Sequence, residues 1–144
     1  MRKPIAGIHF SIENFYYELF KGFRSKDIEI TFKICPLTSK GILRRIYLCI
    51  WALFNQGTIN HICGDINFIS IFMDKKKTIN TFLDFYSMKR LKGLKKLFYK
   101  FLWIKIPFLK SEQIITISHK TFKELNNLIN VNNKKNIHVI GISV

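Results

Sequence analysis

The amino-acid sequence predicts an α/β domain of the Rossmann-like, doubly wound class, with a parallel sheet of about six strands. Short apolar runs alternate with amphipathic stretches along the chain, which is the pattern of successive β–α–β units. The 144 residues suit one domain with one hydrophobic core, so a single domain is expected over residues 1–144. Hydrophobic residues make up 48% and charged residues 23%, which is typical of globular proteins and not of disordered chains.

The predicted strands are apolar or β-branched runs that end near turn residues. They span Ile5–Phe10, Ile28–Cys35, Thr58–Cys63, Lys77–Phe85, Gln113–Ile117 and Asn136–Ile140. The predicted helices lie between them, where apolar residues recur at helical spacing. These helices run over about Ile12–Phe23, from Leu43 to Leu53, from Asp65 to Met73, over Met88–Trp103 and from Ser118 to Ile129. Ser39, Asp65 and Ser118 are expected N-caps, and Pro107 is expected to stop the fourth helix.

The net charge is +15, from 24 basic and 9 acidic side chains. Such an excess attracts the phosphates of nucleic acid, anionic lipid or a phosphorylated substrate. An AT-rich coding sequence, which fills solvated positions with lysine, is an equally simple explanation of the total. It does not explain local clustering, and eight basic residues with no acidic residue lie between Lys89 and Lys110.

The basic stretch has an apolar helical face beside its lysines, as an interfacial membrane helix requires. The membrane-facing residues would be Lys92, Lys95, Lys96 and Lys100. The alternative is that the apolar face packs on the sheet while the lysines are merely solvated. If the stretch is interfacial, Phe98, Phe101 or Trp103 should be partly accessible.

Cysteine usage and hydropathy predict a cytoplasmic protein that does not cross a bilayer. Three cysteines without paired spacing, and an N-terminus without a signal-peptide pattern, indicate reduced thiols. The apolar run Ile46–Phe54 has nine residues, which is enough for a buried helix and too few for a membrane span. His61 and Cys63 could supply half of a metal site, but the four histidines are dispersed, so neither a metal nor another cofactor is expected.

Polar residues follow several predicted strands, at the edge of the sheet where ligands bind in open α/β folds. They include Ser11, Glu13, Asp65, Asp84 and Ser118, and Gly64 precedes the first of the two aspartates. Each has a simpler explanation, because Asp65 and Ser118 can cap helices and Asp84 can end a strand. Their convergence on one rim is what predicts a binding site.

Five segments, in this order, resemble the N-terminal domain of glycosyltransferase family 4, the retaining transferases with the GT-B fold. They are "FSIENFYYELF" (Phe10–Phe20), "INHICGD" (Ile59–Asp65), "KTINTFLDF" (Lys77–Phe85), the basic stretch with the following "ITIS" strand (Arg90–Leu125), and "NIHVIGISV" (Asn136–Val144). Three positions depart from the family pattern. The first turn, Ser11-Ile12-Glu13, has no glycine, Leu83 stands in place of a histidine, and His119 in place of a glutamate.

The resemblance implies the acceptor-binding half of a retaining glycosyltransferase, which moves a sugar from a sugar nucleotide to a glycan or glycolipid in bacterial cell-envelope polysaccharide synthesis. The family's donor-binding domain is missing from the sequence, so we expect no activity from this half alone and a donor-binding domain or separate donor subunit as its partner. The implied acceptor cleft contains Ser11, Glu13, His61, Gly64, Asp65, Asp84 and Ser118, without an assigned catalytic residue. The implied location is the cytoplasm, peripherally on the inner face of the plasma membrane.

Two other functions remain open from the sequence. One is an inactive, truncated remnant of such an enzyme. The other is a basic nucleic-acid-binding module, which the charge favours, although no helix-turn-helix, zinc-finger or RNA-recognition signature is visible.

Overall fold

The structure is a computed structural model, and it describes residues 1, 16, 21–22, 28–129 and 136–141. Four strands in this part of the chain form one fully parallel sheet in the order β1-β2-β3-β4. They are β1 (Asn60–Ile62), β2 (Thr78–Phe82), β3 (Gln113–Thr116) and β4 (Asn136–Val139). The parallel α/β class is therefore confirmed, and the sheet is compatible with a Rossmann-like fold.

The prediction of six strands is wrong for the described residues. The segment predicted as the strand Ile28–Cys35 forms no strand there, and nearly all of its side chains are exposed. Strands of a parallel sheet are normally buried on both faces, so this segment lacks the burial that would hold it in the sheet. Its end is instead fixed by Met1, whose amino group donates to Lys33 O at 2.8 Å and whose carbonyl accepts from Cys35 N at 2.9 Å. The predicted strand Ile5–Phe10 lies outside the described residues.

Helices connect the strands. Helix α1 (Ile42–Phe54) precedes β1, and two 3₁₀ helices (Asn67–Phe72 and Lys75–Lys77) connect β1 to β2. Between β2 and β3 lie α2 (Tyr86–Lys89), α3 (Gly93–Tyr99), a π-helix (Lys100–Lys105) and α4 (Ile106–Leu109). Helix α5 (His119–Ile129) connects β3 to β4. Of the predicted first helix, only Tyr16, Lys21 and Gly22 are described, and they are helical.

Of the three predicted N-caps, only Ser118 is confirmed. Its Oγ accepts from Thr121 N at 3.1 Å, at the start of α5. Helix α1 has Gly41 at its N-cap without a side-chain cap, and Ser39 contributes its carbonyl to Arg45 instead. The first 3₁₀ helix begins at Ile66, also without a side-chain cap, because Asp65 faces a different partner.

The long basic helix predicted over Met88–Trp103 is interrupted and extends further than expected. Residues 90–92 separate α2 from α3, and Gly93, the first residue of α3, has φ 56°, a left-handed conformation that glycine adopts without strain. Pro107 does not stop the helix. It occupies the first turn of α4, where a missing N–H costs little, and the preceding turn is widened into a π-helix.

The core lies between the sheet and these connections, around the fully buried side chains of Leu48, Ile104, Ile114 and Leu125. A buried polar chain fixes the end of α4 to the sheet. Asn80 Nδ2 donates to Ser111 Oγ at 2.8 Å, and Ser111 Oγ donates to Pro107 O at 2.7 Å. No helix in the described segments is long and apolar enough to span a membrane.

Candidate functional site

A cleft of about 210 Å³ opens at the carboxyl ends of β1 and β2. Three parts of the chain line it: the turn after β1, the end of β2 with its following turn, and the end of α3 with the π-helix. The lining residues are Gly64, Asp65, Asn67, Phe82, Leu83, Asp84, Phe85, Tyr86, Ser87, Tyr99, Trp103 and Ile104. The cleft therefore lies at the edge of the sheet where the sequence predicts a binding site.

The predicted convergence of turns is confirmed. Gly64–Asp65, Asp84 and Ser118 follow β1, β2 and β3, and because these strands are parallel the three turns lie on one edge of the sheet. Gly64 has φ 90°, so the chain can reverse direction immediately after β1 and place Asp65 on the rim. Gly64, Asp65 and Asp84 all line the cleft.

Asp65 is linked to the wall of the cleft by Tyr99. The Tyr99 hydroxyl donates to Asp65 Oδ1 at 3.3 Å. Burial, and next the nearby Asp65 carboxylate, raise the pKa of Tyr99, so its hydroxyl stays protonated and remains a donor at neutral pH. The Tyr99 ring stacks on that of Trp103, with centroids 5.0 Å apart and planes 11° from parallel.

Asp84 is exposed, and its Oδ1 accepts a hydrogen bond from Tyr86 N at 2.8 Å. This is the turn contact expected of an aspartate at a strand end. The Tyr86 ring lies under the Arg90 guanidinium, with Cζ 4.3 Å from the ring centroid, and its hydroxyl accepts from Arg90 at 2.6 Å. One carboxylate oxygen of Asp84 thus orders the turn while the side chain lines the cleft.

Trp103 forms the inner wall of the cleft and is buried. Phe68 packs against it at 4.6 Å between ring centroids, and Arg45 Cζ lies 4.7 Å from its centroid. Its indole Nε1 is buried and has no hydrogen-bond partner among the described residues. Buried donors are normally paired, so this N–H is an exception within the described part of the chain.

Ser118 and His61 do not line the cleft. Ser118 caps α5, and its neighbour Thr121 donates from Oγ1 to Leu83 O at 3.0 Å, which ties α5 to the end of β2. His61 lies within β1, where its Nε2 is 2.7 Å from Thr81 Oγ1 and its ring meets the edge of Tyr16. Ser11 and Glu13 fall outside the described residues.

The cleft is acidic. Asp65 and Asp84 carry its charged groups, and no lysine or arginine is among its described lining. Nor do any three His, Cys, Asp or Glu side chains within the described ranges group closely enough to hold a metal ion. The described lining therefore offers carboxylate acceptors, a tyrosine hydroxyl and aromatic ring faces.

Comparison with protein-family profiles, curated proteins and solved structures finds no match. The assignment to a glycosyltransferase family accordingly remains a prediction from the sequence segments. The structure adds the geometry of the cleft to those segments.

The sequence does not identify the cleft residues contributed by helices. Tyr99 is not singled out there, and Trp103 appears only as the end of the basic helix and as one of its three aromatic residues. Asn67 lies in a stretch predicted as an ordinary helix. In the structure Asn67 is buried, and its Nδ2 donates to Thr81 O at 3.1 Å. The only signal was the four-residue spacing of Tyr99 and Trp103, which places them on one side of a helix.

The basic stretch has the exposure that the sequence predicts for an interfacial helix. Lys92, Lys95 and Lys96 are exposed, Lys100 is half-buried, and Phe98 and Phe101 are exposed. A second, shallow groove of about 450 Å³ lies along it. The groove is lined by Arg45, Leu91, Leu94, Lys95, Phe98, Tyr99 and Trp103, so it shares two walls with the acidic cleft.

Proposed function

We propose that the chain is the acceptor-binding domain of a retaining glycosyltransferase of the GT-B type. It holds a glycan or glycolipid acceptor while a donor-binding domain or separate subunit supplies the sugar nucleotide. The proposed setting is bacterial cell-envelope polysaccharide synthesis, in the cytoplasm, at the inner face of the plasma membrane.

The observation that carries this proposal is the joint placement of Asp65, Asp84, Tyr99 and Trp103 in one cleft. Saccharides present hydroxyl groups around a ring that also has apolar C–H faces. Carboxylates form strong hydrogen bonds with hydroxyl donors, and aromatic rings provide flat apolar contact area. Small-molecule sites usually combine aromatic side chains with a few precisely positioned polar groups.

The function of such a domain is to position its acceptor. Glycosyl transfer requires the acceptor hydroxyl and the anomeric carbon to be held together, and orientation alone supplies a large part of the rate. Asp65 and Asp84 would accept hydrogen bonds from acceptor hydroxyls, and the stacked rings of Tyr99 and Trp103 would provide apolar contact area. The charged groups of the described lining are the two carboxylates of Asp65 and Asp84, which favours an acceptor site over a site for a diphosphate.

The test is binding of uncharged saccharides to the purified full chain. Saturation-transfer NMR against a panel of oligosaccharides would identify an acceptor, and titration would give its Kd. Replacing Asp65 or Asp84 by asparagine removes a charged hydrogen-bond acceptor, which costs about 1.5–3 kcal/mol, so we expect binding to weaken about tenfold or more.

The matched control is Glu112→Gln. Glu112 is also an exposed carboxylate, but it precedes β3 and so lies at the opposite edge of the sheet. This variant should bind as the unaltered chain does. Binding of no saccharide, or equal binding by the Asp65→Asn, Asp84→Asn and Glu112→Gln variants, would end the proposal and favour an inactive remnant.

A further inference from the structure

Helix α3 and the π-helix expose large apolar side chains that a solvated helix would normally bury. Leu94 is 85% exposed, Leu97 64%, Phe98 54% and Phe101 48%. They stand at positions i, i+3, i+4 and i+7, so they lie on one side of the helix and form a patch. A patch of this kind usually marks an interaction site.

Basic side chains surround this patch. Lys92, Lys95 and Lys96 are exposed between the apolar residues, and Lys100 is half-buried beside them. No acidic residue occurs in the sequence between Asp84 and Glu112. Arg45 of α1 borders the same groove as Leu94, Lys95 and Phe98, and so adds a further cation. We call Lys92, Leu94, Lys95, Lys96, Leu97, Phe98, Lys100 and Phe101 the basic-apolar surface.

We propose that the basic-apolar surface docks on an anionic lipid bilayer. An interfacial helix needs an apolar face to enter the boundary between headgroups and acyl chains, together with cations that reach anionic headgroups. Exposed leucines and phenylalanines interleaved with lysines provide both. A protein partner would not account for the lysines, since protein interface cores are depleted of lysine. Nucleic acid would not account for the exposed leucines, since binding to a phosphate backbone does not require them.

Docking would also orient the acidic cleft. Tyr99 and Trp103 are walls of both the groove and the cleft, so a bilayer seated on the basic-apolar surface lies next to the mouth of the cleft. This step rests on the proposed function. If the cleft holds a saccharide acceptor, the acceptor class that reaches it is a saccharide linked to a membrane lipid. Docking itself does not depend on what the cleft binds.

The experiment is co-sedimentation of the purified full chain with vesicles of phosphatidylcholine alone and of phosphatidylcholine with phosphatidylglycerol. We expect binding to the anionic vesicles that weakens as salt is added, since screening shortens the reach of surface charges. Three lysines at about 1 kcal/mol each correspond to about 100-fold in affinity at low salt, which is the loss expected for Lys92→Gln, Lys95→Gln and Lys96→Gln combined.

Two control variants separate the surface from the overall charge and hydrophobicity of the chain. Lys75→Gln, Lys76→Gln and Lys77→Gln combined remove the same charge from exposed positions before β2, at the other edge of the sheet. Leu94→Gln with Phe98→Gln should weaken binding about tenfold. Ile59→Gln with Phe72→Gln, which alters two other exposed apolar residues, should leave it unchanged.

Four results would overturn the proposal. They are equal binding to both vesicle types, equal loss from the two lysine triples, tighter binding to duplex DNA than to anionic vesicles, and a stable dimer in solution that the Leu94→Gln, Phe98→Gln variant dissociates. Vesicle binding that persists when saccharide binding is absent would refute the proposed function and leave the docking surface in place.

Discussion

The Tyr99 hydroxyl donates a hydrogen bond to Asp65 Oδ1 across 3.3 Å, and this contact joins the end of α3 to the turn after β1. The two residues are 34 positions apart in the chain. The Tyr99 ring in turn stacks on Trp103, so the carboxylate and the aromatic wall of the cleft are held as one unit. A ligand that binds in the cleft would therefore meet a carboxylate hydrogen-bond acceptor whose position is already fixed.

Replacing Tyr99 by phenylalanine tests this link. The variant keeps the stacked ring and removes the hydroxyl that contacts Asp65 and Ser87, so unfolding should become easier by about 1 kcal/mol in urea denaturation. Saccharide binding should also weaken, because Asp65 loses its orienting partner. Tyr47→Phe is the control, since Tyr47 is an exposed tyrosine on α1 outside the cleft. Equal stability of the two variants would show that the Asp65 contact contributes nothing.

The two carboxylates of the cleft were predictable because their positions follow from strand order. Any residue that directly follows a strand of a parallel sheet lies at the carboxyl edge, whatever its neighbours. Tyr99 and Trp103 were not predictable in this way. Their place in the cleft depends on how α3 and the π-helix pack, and a helix pattern identifies an apolar face without identifying what it contacts.

The charge of the cleft predicts that the chain binds sugar nucleotides poorly. Asp65 and Asp84 are the charged groups of the described lining and repel a diphosphate, and the nearby Arg45 and Arg90 are already stacked on Trp103 and Tyr86. Calorimetric titration with UDP- and GDP-sugars should therefore give no Kd tighter than about 1 mM. Asp65→Asn with Asp84→Asn should not bind nucleotides less tightly than the unaltered chain. A micromolar Kd for any sugar nucleotide would contradict the assignment of this cleft to an acceptor.

The elements that depend on local sequence could be predicted, whereas those that depend on burial could not. Strands β1 to β4 carry β-branched and apolar residues and turn residues at their ends, and each was located within a few positions. The Ile28–Cys35 segment has the same local character, yet six of its eight side chains are exposed. The helix break at residues 90–92 ends at Gly93, a left-handed residue that an otherwise helical pattern conceals.

Helix capping gives a direct comparison between two serines that the sequence treats alike. Ser118 accepts a hydrogen bond from Thr121 N, whereas the side chain of Ser39 caps no helix. Ser118→Ala should therefore cost about 1 kcal/mol in the free energy of unfolding, and Ser39→Ala close to none. Urea denaturation of both variants makes the measurement. A larger loss from Ser39→Ala would mean that α1 begins differently from the structure described above.

The three cysteines give a prediction that depends on pH. All are free and buried, and burial raises the pKa of Cys49 and of Cys63 to about 11. Burial also raises the pKa of Cys35, an effect that the positive N-terminus partly offsets. Only the thiolate reacts, so at about pH 8 the folded protein should react with a chromogenic thiol reagent far more slowly than glutathione does. Unfolding in guanidinium should then release all three thiols.

Because the folded pKa values are raised, the stability that these buried thiols contribute is complete below the ordinary thiol pKa of 9.0. That contribution should be lost as the pH rises through about 11. Rapid reaction of Cys63 in the native protein at about pH 8 would contradict the burial of its side chain, which directly follows β1.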